Sequence, residues 1–310
     1  TGSRVQKLAE LGTAGPAWQV STGAGKDPYI PIDWAALTTA PSVLDLFAGN
    51  YPGVKTHRDH LVVGLDAVDT ASAIVNWNAL PPNERRDVFH PSRGRGLPQT
   101  TYVPDPAKVI PYRYRPLDNR HIYWDKSFIQ EPGRISGIYS VTPNLRSLQA
   151  LDSATTSAPV VVATDCLPDY HSIRGSYGSH VIPIDVAQDP GTLTGPSPMD
   201  VLSAVGLAFA NRFSASAEDV AAYVLAITNS HLYAAVYAEP LRSEPARIPL
   251  TNDAALFAKA VRVGQELLEA WCLKSPPRGS WRQHAPVGTP LGNPTFTAGT
   301  ITFDNGDVFT

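Results

Sequence analysis

The spacing of apolar residues changes near residue 190, and this change constrains the fold more than any other feature of the sequence. Before that point, apolar residues come in short β-branched runs such as residues 158–165, which are typical of buried strands. After it they recur every three or four residues, as in Ala217–Thr228, which predicts amphipathic helices. Residues 187–198 are polar and rich in Gly and Pro, as linkers are. The pattern predicts an α+β chain with a mixed, β-rich N-terminal part (1–190) and a C-terminal helical subdomain (191–310).

Further elements follow from the same kinds of pattern. Strands are predicted at residues 42–47, 60–66, 108–116, 135–141 and 180–186, and helices at residues 69–79, 199–211 and 253–273. Ser216, followed by Glu218 and Asp219, has the composition of a helix N-terminus. Near the end of the chain an alternating run contains Asn305-Gly306, which predicts a terminal β-hairpin.

Composition excludes several classes of protein. Of the 310 residues, 43% are hydrophobic, which is enough for a packed core and excludes a wholly disordered chain. No apolar run approaches the ~18–20 residues of a transmembrane helix, so we expect no membrane partner. Cys166 and Cys272 are too few for a disulfide framework and lack the spacing of metal ligands. These features favour a protein of the reducing cytoplasm.

Charge is unevenly distributed along the chain. A net charge of -3 excludes a protein that is basic over its whole surface. Residues 85–120 nevertheless contain eight Lys or Arg residues against three Asp residues, so a local basic face is predicted.

Two short motifs suggest chemistry, and neither is complete. Asp45-Leu46-Phe47-Ala48-Gly49-Asn50 resembles the cofactor-binding turn of cytosine-5 DNA methyltransferases, but the second glycine and the Pro-Cys nucleophile of that family are missing. His57 and His60 could share a metal only on a helix, whereas the surrounding pattern predicts loop and strand. A free-standing methyltransferase or metal-dependent hydrolase therefore stays an alternative function, without a self-contained set of catalytic residues.

Two segments combine basic, polar and aromatic residues as nucleic-acid-binding surfaces do. The first is residues 53–59 and the second is residues 112–125. Arg and Lys neutralise phosphates, Arg can also read guanine, Asn can read adenine, and aromatic rings can stack on bases. The same composition fits a charged strand face with rings packed beneath it, so the residues alone leave both interpretations open.

The order of four segments resembles the C-terminal target-recognition (specificity) domain of type ISP restriction–modification enzymes. These enzymes join nuclease, helicase-like ATPase, adenine methyltransferase and DNA-recognition domains in one polypeptide. The four segments are Gly53-Val54-Lys55-Thr56 with Arg58-Asp59, residues 114–120 with Tyr123 and Asp125, residues 162–183 with Thr164-Asp165 and His180, and residues 217–250. Together they extend over residues 53–275, which is most of the chain.

The resemblance implies a DNA-reading module that is not an enzyme by itself. Its partners would be double-stranded DNA and a covalently linked methyltransferase domain. That domain would hold S-adenosylmethionine, so no cofactor and no metal are expected in this chain. Carried over position by position, the resemblance implies DNA contacts by seven residues, namely Lys55, Arg58, Arg113, Arg115, Asn119, Arg120 and Tyr123.

Two interpretations compete with this one. Ion pairs with neighbouring Asp residues would make Arg58 and Arg120 structural, because they would fasten loop to sheet. A protein-interaction domain without nucleic acid is the other alternative, because the net charge is negative.

Overall fold

A computed structural model describes the chain from residue 39 to residue 309 with several gaps. The described residues are 39–92, 96–99, 101–142, 144–153, 159–173, 178–185, 188–189, 197–274, 294–297, 300–303 and 308–309. Two compact units are present, Thr1–Ser275 and Pro276–Thr310.

The first unit contains two four-stranded sheets. The strands are β1 (Tyr51–Pro52), β2 (Val63–Gly64), β3 (Val109–Arg115), β4 (Asp118–Tyr123), β5 (Ser147–Leu151), β6 (Val161–Thr164), β7 (Leu167–Pro168), β8 (Ser179–Pro183), β9 (Gln188–Asp189) and β10 (Ser197–Pro198). The first sheet has the order β1-β8-β5-β6 and is antiparallel throughout. The second has the order β2-β4-β3-β7, and β3 pairs antiparallel with β4 but parallel with β7. Strands β9 and β10 pair with each other.

Helices make up much of the rest of the first unit. They are α1 (Val43–Leu46), α2 (Asp59–Val62), α3 (Ala67–Ala79), α4 (Pro82–Phe89), α5 (Gly133–Val141), α6 (Ala204–Asn211), α7 (Ala217–Thr228), α8 (His231–Val236), α9 (Ala238–Leu241) and α10 (Ala254–Trp271). Helices and sheets together confirm the predicted α+β class. None of the described helices combines the length and the apolar composition that crossing a membrane requires.

A first hydrophobic core joins the first sheet to the helices of the C-terminal half. Leu148 and Ile182 of the sheet are fully buried in it, together with Phe209 of α6 and Val224 of α7. Burial of apolar surface is the main favourable term in folding. Because this core draws on residues from both sides of residue 190, the sheet and the helices stabilise each other. The division of the chain into parts 1–190 and 191–310 stays a prediction.

Helix α7 begins and ends where the sequence predicts. Ser216 Oγ accepts from Asp219 N (3.1 Å), and Asp219 Oδ2 accepts from Ser216 N (2.9 Å), which is a capping box. At the other end, Asn229 Nδ2 donates to Val161 O of β6 (2.9 Å). The helix is therefore terminated at defined residues and tied to the first sheet.

A second core, rich in aromatic side chains, supports the second sheet. The Phe128 ring lies edge-on to Trp77 (5.0 Å between ring centroids) and to Phe89 (5.7 Å). Tyr112 and Ile122, from the two central strands, are completely buried in this core. Edge-to-face pairs add to the stabilisation that burial supplies. Strands β3 and β4 are thus held on a well-packed base.

The run at residues 42–47, predicted as a strand, forms helix α1 between two isolated bridges. Ser42 N donates to Asp45 Oδ2 (2.9 Å), and Ser42 Oγ accepts from the main chain of the first turn. This capping box stabilises the helical conformation. Asp45 therefore serves the helix terminus rather than a cofactor-binding turn.

Two further predicted strands are helical in part or throughout. Residues 60–66 start in α2 and reach extended backbone only at Val63–Gly64. Residues 135–141 lie in α5, where Ile135 and Ile138 are buried three residues apart. A short apolar run fits a buried helix and a buried strand equally well, so the apolar pattern indicated the wrong element throughout residues 135–141 and in the first half of residues 60–66.

The second unit contains an antiparallel sheet of the order β11-β12-β13. Its strands are β11 (Pro294–Thr297), β12 (Thr300–Phe303) and β13 (Val308–Phe309). The predicted turn at Asn305-Gly306 lies outside the described residues, so the terminal hairpin stays a prediction.

Candidate nucleic-acid interface

The second sheet brings the two predicted DNA-binding segments together. The hydroxyl of Tyr114 in β3 donates to Asp59 Oδ2 in the first segment (3.1 Å). Strand β7 and the stretch that follows it bind the first segment as well, because Val54 N donates to Pro168 O (3.0 Å) and Tyr170 N donates to Val54 O (2.9 Å). Three stretches that are distant in sequence therefore meet at one place.

Tyr114 lies between two guanidinium groups. Cζ of Arg115 is 3.9 Å from the ring centroid, and Cζ of Arg120 is 4.2 Å from it. Two planar groups this close to one centroid would overlap if they shared a face, so they cover opposite faces of the ring. Cation–π contacts contribute about 0.5–1 kcal/mol each at exposed sites. Arg115, Tyr114 and Arg120 thus form a stacked unit, named here the guanidinium–tyrosine stack.

Asp169 anchors the Arg115 side of the stack. Its carboxylate accepts from Arg115 Nη1 (3.1 Å), from the Tyr112 hydroxyl (2.7 Å) and from His171 N (2.7 Å). Burial raises the pKa of Asp169, and the hydrogen bonds from Tyr112 and His171 oppose part of that rise. The carboxylate therefore joins β3 to the stretch after β7 and holds Arg115 in place.

Asp118 anchors the other side of the stack. Arg120 Nε lies 3.1 Å from both carboxylate oxygens of Asp118, and Nη2 lies 3.0 Å from one of them. The residue between them, Asn119, is exposed. The side chains of Arg115 and Arg120 are 36% and 30% exposed. Three of the seven predicted contacts are therefore accessible at the turn from β3 into β4.

Lys55 approaches the stretch after β7 from the first segment. Its Nζ lies 4.2 Å from the Tyr170 ring centroid and donates to Glu131 Oε2 (2.8 Å). The hydrogen bond from Lys55 lowers the pKa of Glu131. The Lys55 side chain is 25% exposed, so a ligand can reach the ammonium group.

His57 and His60 have separate partners. His57 is exposed, with Nε2 3.9 Å from Glu131 Oε1. His60 Nε2 lies 2.8 Å from Val88 O. Within the described ranges, no group of three or more His, Cys, Asp or Glu residues is arranged to hold a metal ion.

Arg58, predicted as a DNA contact, lies in the interior and is completely buried. Its Nε donates to Phe89 O (2.9 Å) and its Nη1 to Phe128 O (3.2 Å). Its Nη2 donates to Ser92 Oγ (2.8 Å). The guanidinium group connects three parts of the second core, so Arg58 is a structural residue in this conformation and cannot contact DNA.

Arg113 is also buried, with 1% of its surface exposed. Its Nη2 donates to Trp271 O at the C-terminal end of α10 (2.6 Å). Burial lowers the pKa of Arg113, and its Nε and Nη1 have no acceptor among the described residues. Arg113 ties the second sheet to α10, and its burial removes it from the candidate DNA contacts.

Tyr123 is the third predicted contact that the fold buries, with 1% exposed. Its hydroxyl accepts from Asp105 N (3.0 Å) and bonds the hydroxyl of Tyr102. Its ring packs edge-on against Phe128. With no accessible ring face, Tyr123 cannot stack on a base and belongs to the second core.

Comparison with known proteins identifies the family. A family model described as the type ISP C-terminal specificity domain matches residues 45–308. The chain belongs to this family. No curated protein matches the chain.

Three solved structures resemble the specificity domain in fold. A DrdV–DNA complex is 22% identical, with a TM-score of 0.56, over 73% of this chain and 23% of that chain. The ATP-dependent type ISP restriction-modification enzyme LlaBIII, bound to DNA, is 18% identical, with a TM-score of 0.56, over 94% and 20%. A nuclease-deletion mutant of the type ISP enzyme LlaGI, in complex with a DNA substrate mimic, is 15% identical, with a TM-score of 0.54, over 87% and 27%. The specificity domain thus spans between 20% and 27% of these chains.

The sequence-based prediction missed three side chains of the interface, those of Glu131, Asp169 and Tyr170. Asp169 and Tyr170 lie in the stretch after β7, and Glu131 follows Phe128 and Ile129 of the second core. None of them belongs to either basic segment. Pairing of β3 with β7 brings Asp169 beside Arg115, and no local pattern of the specificity domain indicates that pairing.

Asp125 organises the end of β4 in the specificity domain. Its carboxylate accepts from Lys108 Nζ (2.5 Å), from the Tyr102 hydroxyl (2.9 Å) and from both N (2.8 Å) and Oγ (2.5 Å) of Ser127. Burial alone would raise the pKa of Asp125, but these hydrogen bonds outweigh it and lower the pKa to about 2.

Replacement of Asp125 by asparagine should lower stability in a pH-dependent way. The folded pKa of about 2 is below the ordinary 3.8, so the carboxylate stabilises the fold above that ordinary value and ceases to do so as pH falls through 2. We expect a loss of roughly 2 kcal/mol at pH 7, shrinking to about half by pH 3. Urea denaturation of both proteins at pH 7, 5, 4 and 3 measures it. A difference in unfolding free energy between the two proteins that stays constant over this pH range would contradict the assigned pKa.

Proposed function

We propose that this chain reads the sequence of duplex DNA as the target-recognition part of a larger type ISP restriction–modification enzyme. The observation that carries the proposal is the set of accessible side chains on and beside the second sheet, in a member of the specificity-domain family. These side chains are Lys55, Arg115, Asn119 and Arg120. Such a surface offers groups for phosphate contact and for base contact together.

The proposal divides the work between domains. This chain would position the duplex, and a covalently linked methyltransferase domain would modify an adenine flipped out of the stack. The S-adenosylmethionine would be held by that domain, and the chain by itself would not be an enzyme. The three similar structures support the proposal, because each is a complex with DNA or with a DNA substrate mimic. A restriction enzyme meets DNA in the cytoplasm, which is where the proposal places the protein.

Removal of the accessible cations should weaken DNA binding. We expect the triple variant Lys55→Ala, Arg115→Ala, Arg120→Ala to bind duplex DNA at least about tenfold more weakly than the wild type. The reason is loss of both phosphate and base contacts at one surface. Fluorescence anisotropy with a labelled duplex, at several salt concentrations, measures the affinity and its fall with salt.

A second triple variant controls for net charge. Arg212, Lys259 and Arg262 are exposed on or next to the helices of the first core, and their replacement by alanine removes the same charge. We expect an affinity within about twofold of the wild type, since the charges lie outside the interface. Equal weakening by the two triple variants would show that the second sheet is not the DNA-binding surface.

A further inference from the structure

We propose that Arg115 reads a guanine base, and that the rest of the guanidinium–tyrosine stack holds it in position. The inference rests on the proposed function and names the base class that this surface recognises. It follows from which donor atoms of the two arginines are already occupied.

The Nε and Nη2 donors of Arg115 are available to a ligand. Its Nη1 donates to Tyr114 O (2.5 Å) and to Asp169 Oδ1 (3.1 Å). In the part of the chain that the structure describes, its Nε and Nη2 donate to no acceptor. Nε and Nη2 are the two donors that lie side by side on one edge of a guanidinium group. This edge can bind two acceptors at once, and so can the end formed by Nη1 and Nη2, but in Arg115 the Nη1 atom is already bonded.

Arg120 has its Nε–Nη2 edge occupied. Its Nε and Nη2 both bind the carboxylate of Asp118, at 3.1 Å and 3.0 Å. Among the described residues its other contact is with the face of Tyr114. Arg120 is therefore a positioning residue that closes the second face of the ring, whereas Arg115 closes the first face and presents a free edge.

Tyr114 fixes the plane in which that edge lies. The ring is held by stacking on both faces and by its hydroxyl, which donates to Asp59 Oδ2 (3.1 Å). Asp169 holds the Nη1 end of Arg115 at the same time. A side chain restrained at its face and at one end loses little conformational entropy on binding, which favours directional recognition.

The local charge argues against a phosphate clamp. The two guanidinium groups of the stack are bonded to two carboxylates, those of Asp118 and Asp169, and Asp59 adds a third carboxylate beside Tyr114. Phosphate contacts are driven by uncompensated positive charge, which this group of side chains lacks. Directional hydrogen bonds do not need that excess.

Guanine is the base that fits the free edge. In the major groove it presents two acceptors, O6 and N7, side by side, and a guanidinium edge presents two donors at matching spacing. Adenine presents one acceptor and one donor there, and cytosine and thymine lack a pair of adjacent acceptors. The Nε–Nη2 edge of Arg115 therefore favours a G·C pair.

The test begins with the full chain and a library of randomised duplexes. The sequence that the wild type selects is then prepared with 7-deazaguanine in place of each guanine in turn, which removes N7 and keeps O6. We expect one position at which this exchange weakens binding by wild type about fivefold or more. The ratio between the affinities for the guanine duplex and for the 7-deazaguanine duplex at that position measures the recognition of N7. The Arg115→Gln variant should lose this preference and bind the two duplexes within about twofold of each other.

Arg120→Gln is the matched control, because it makes the same change of charge within the same stack. It should still bind the guanine duplex clearly more tightly than the 7-deazaguanine duplex, because Arg115 and its contact with Asp169 remain, although its overall affinity falls. A purely structural role for Arg115 would lower both affinities and leave their ratio unchanged.

The outcomes separate the two proposals. If the wild type selects a sequence and Arg115→Gln keeps the ratio, the guanine assignment is overturned and the proposed function stands. Loss of the ratio in Arg120→Gln but not in Arg115→Gln overturns the assignment in the same way. If the wild type binds no duplex or selects no sequence, both proposals fail.

Discussion

Replacement of Gly264 by alanine should lower the stability of the chain by about 3 kcal/mol, although alanine is the better helix former. A Cβ atom at this position would lie 1.8 Å from the carbonyl oxygen of Ala222 and 2.3 Å from its carbonyl carbon. Both atoms belong to the main chain of α7, which cannot rotate aside as a flexible side chain could. Helices α7 and α10 would have to separate, and the first core would lose packing along their contact.

Equilibrium denaturation with urea measures this loss as a lower midpoint. Gly264→Val should cost more than Gly264→Ala because it adds two further methyl groups at the same contact. Arg262→Ala is the control, since Arg262 is exposed on the same helix, and its replacement should change stability by less than about 0.5 kcal/mol. Wild-type stability in Gly264→Ala would mean that α7 and α10 do not approach backbone to backbone.

Local signals account for the parts of the fold that the sequence predicts correctly. Helix α7 was predictable because its capping residues, Ser216 and Asp219, are neighbours in sequence. Strands β6 and β8 were predictable because both are short and contain a pair of apolar β-branched residues, Val161-Val162 and Val181-Ile182. The sheet order β1-β8-β5-β6 was not, because strand pairing depends on contacts between distant residues. The role of Gly264 is hidden for the same reason, since only the presence of α7 explains it.

At the candidate interface, too, the sequence could not predict which single residues lie at the surface. Strict alternation along β3 would place Arg113 and Arg115 on the same face of the sheet, and both were predicted to bind DNA. The register with β4 shifts between these two residues, at Tyr114. Such a bulge interrupts the alternation. As a result Arg113 is buried, whereas Arg115 remains 36% exposed. The sequence pattern predicted the strand correctly but could not reveal the bulge.

Replacement of Arg58 by alanine should destabilise the second core by roughly 3–5 kcal/mol. The substitution leaves the carbonyl groups of Phe89 and Phe128 without their buried donor and opens a cavity beside the Phe89 ring. Arg58→Lys should recover only part of the loss, because an ammonium group cannot reproduce the planar fork that bonds several acceptors. Arg86→Ala, which removes an exposed arginine of α4, should be nearly neutral.

The same variants decide between the structural role of Arg58 and the DNA contact that the family resemblance implied. Replacement of a structural residue that is completely buried lowers the denaturation midpoint. It affects DNA affinity only through the fraction of protein that is folded. Affinity measured well below the denaturation midpoint should therefore stay close to that of the wild type in Arg58→Lys. Wild-type stability combined with weakened DNA binding in Arg58→Ala would show instead that the guanidinium group leaves the interior and contacts the duplex. In that case the end of α4 at Phe89 and the turn at Phe128 would have to move apart when DNA binds, because their carbonyls hold the side chain inside.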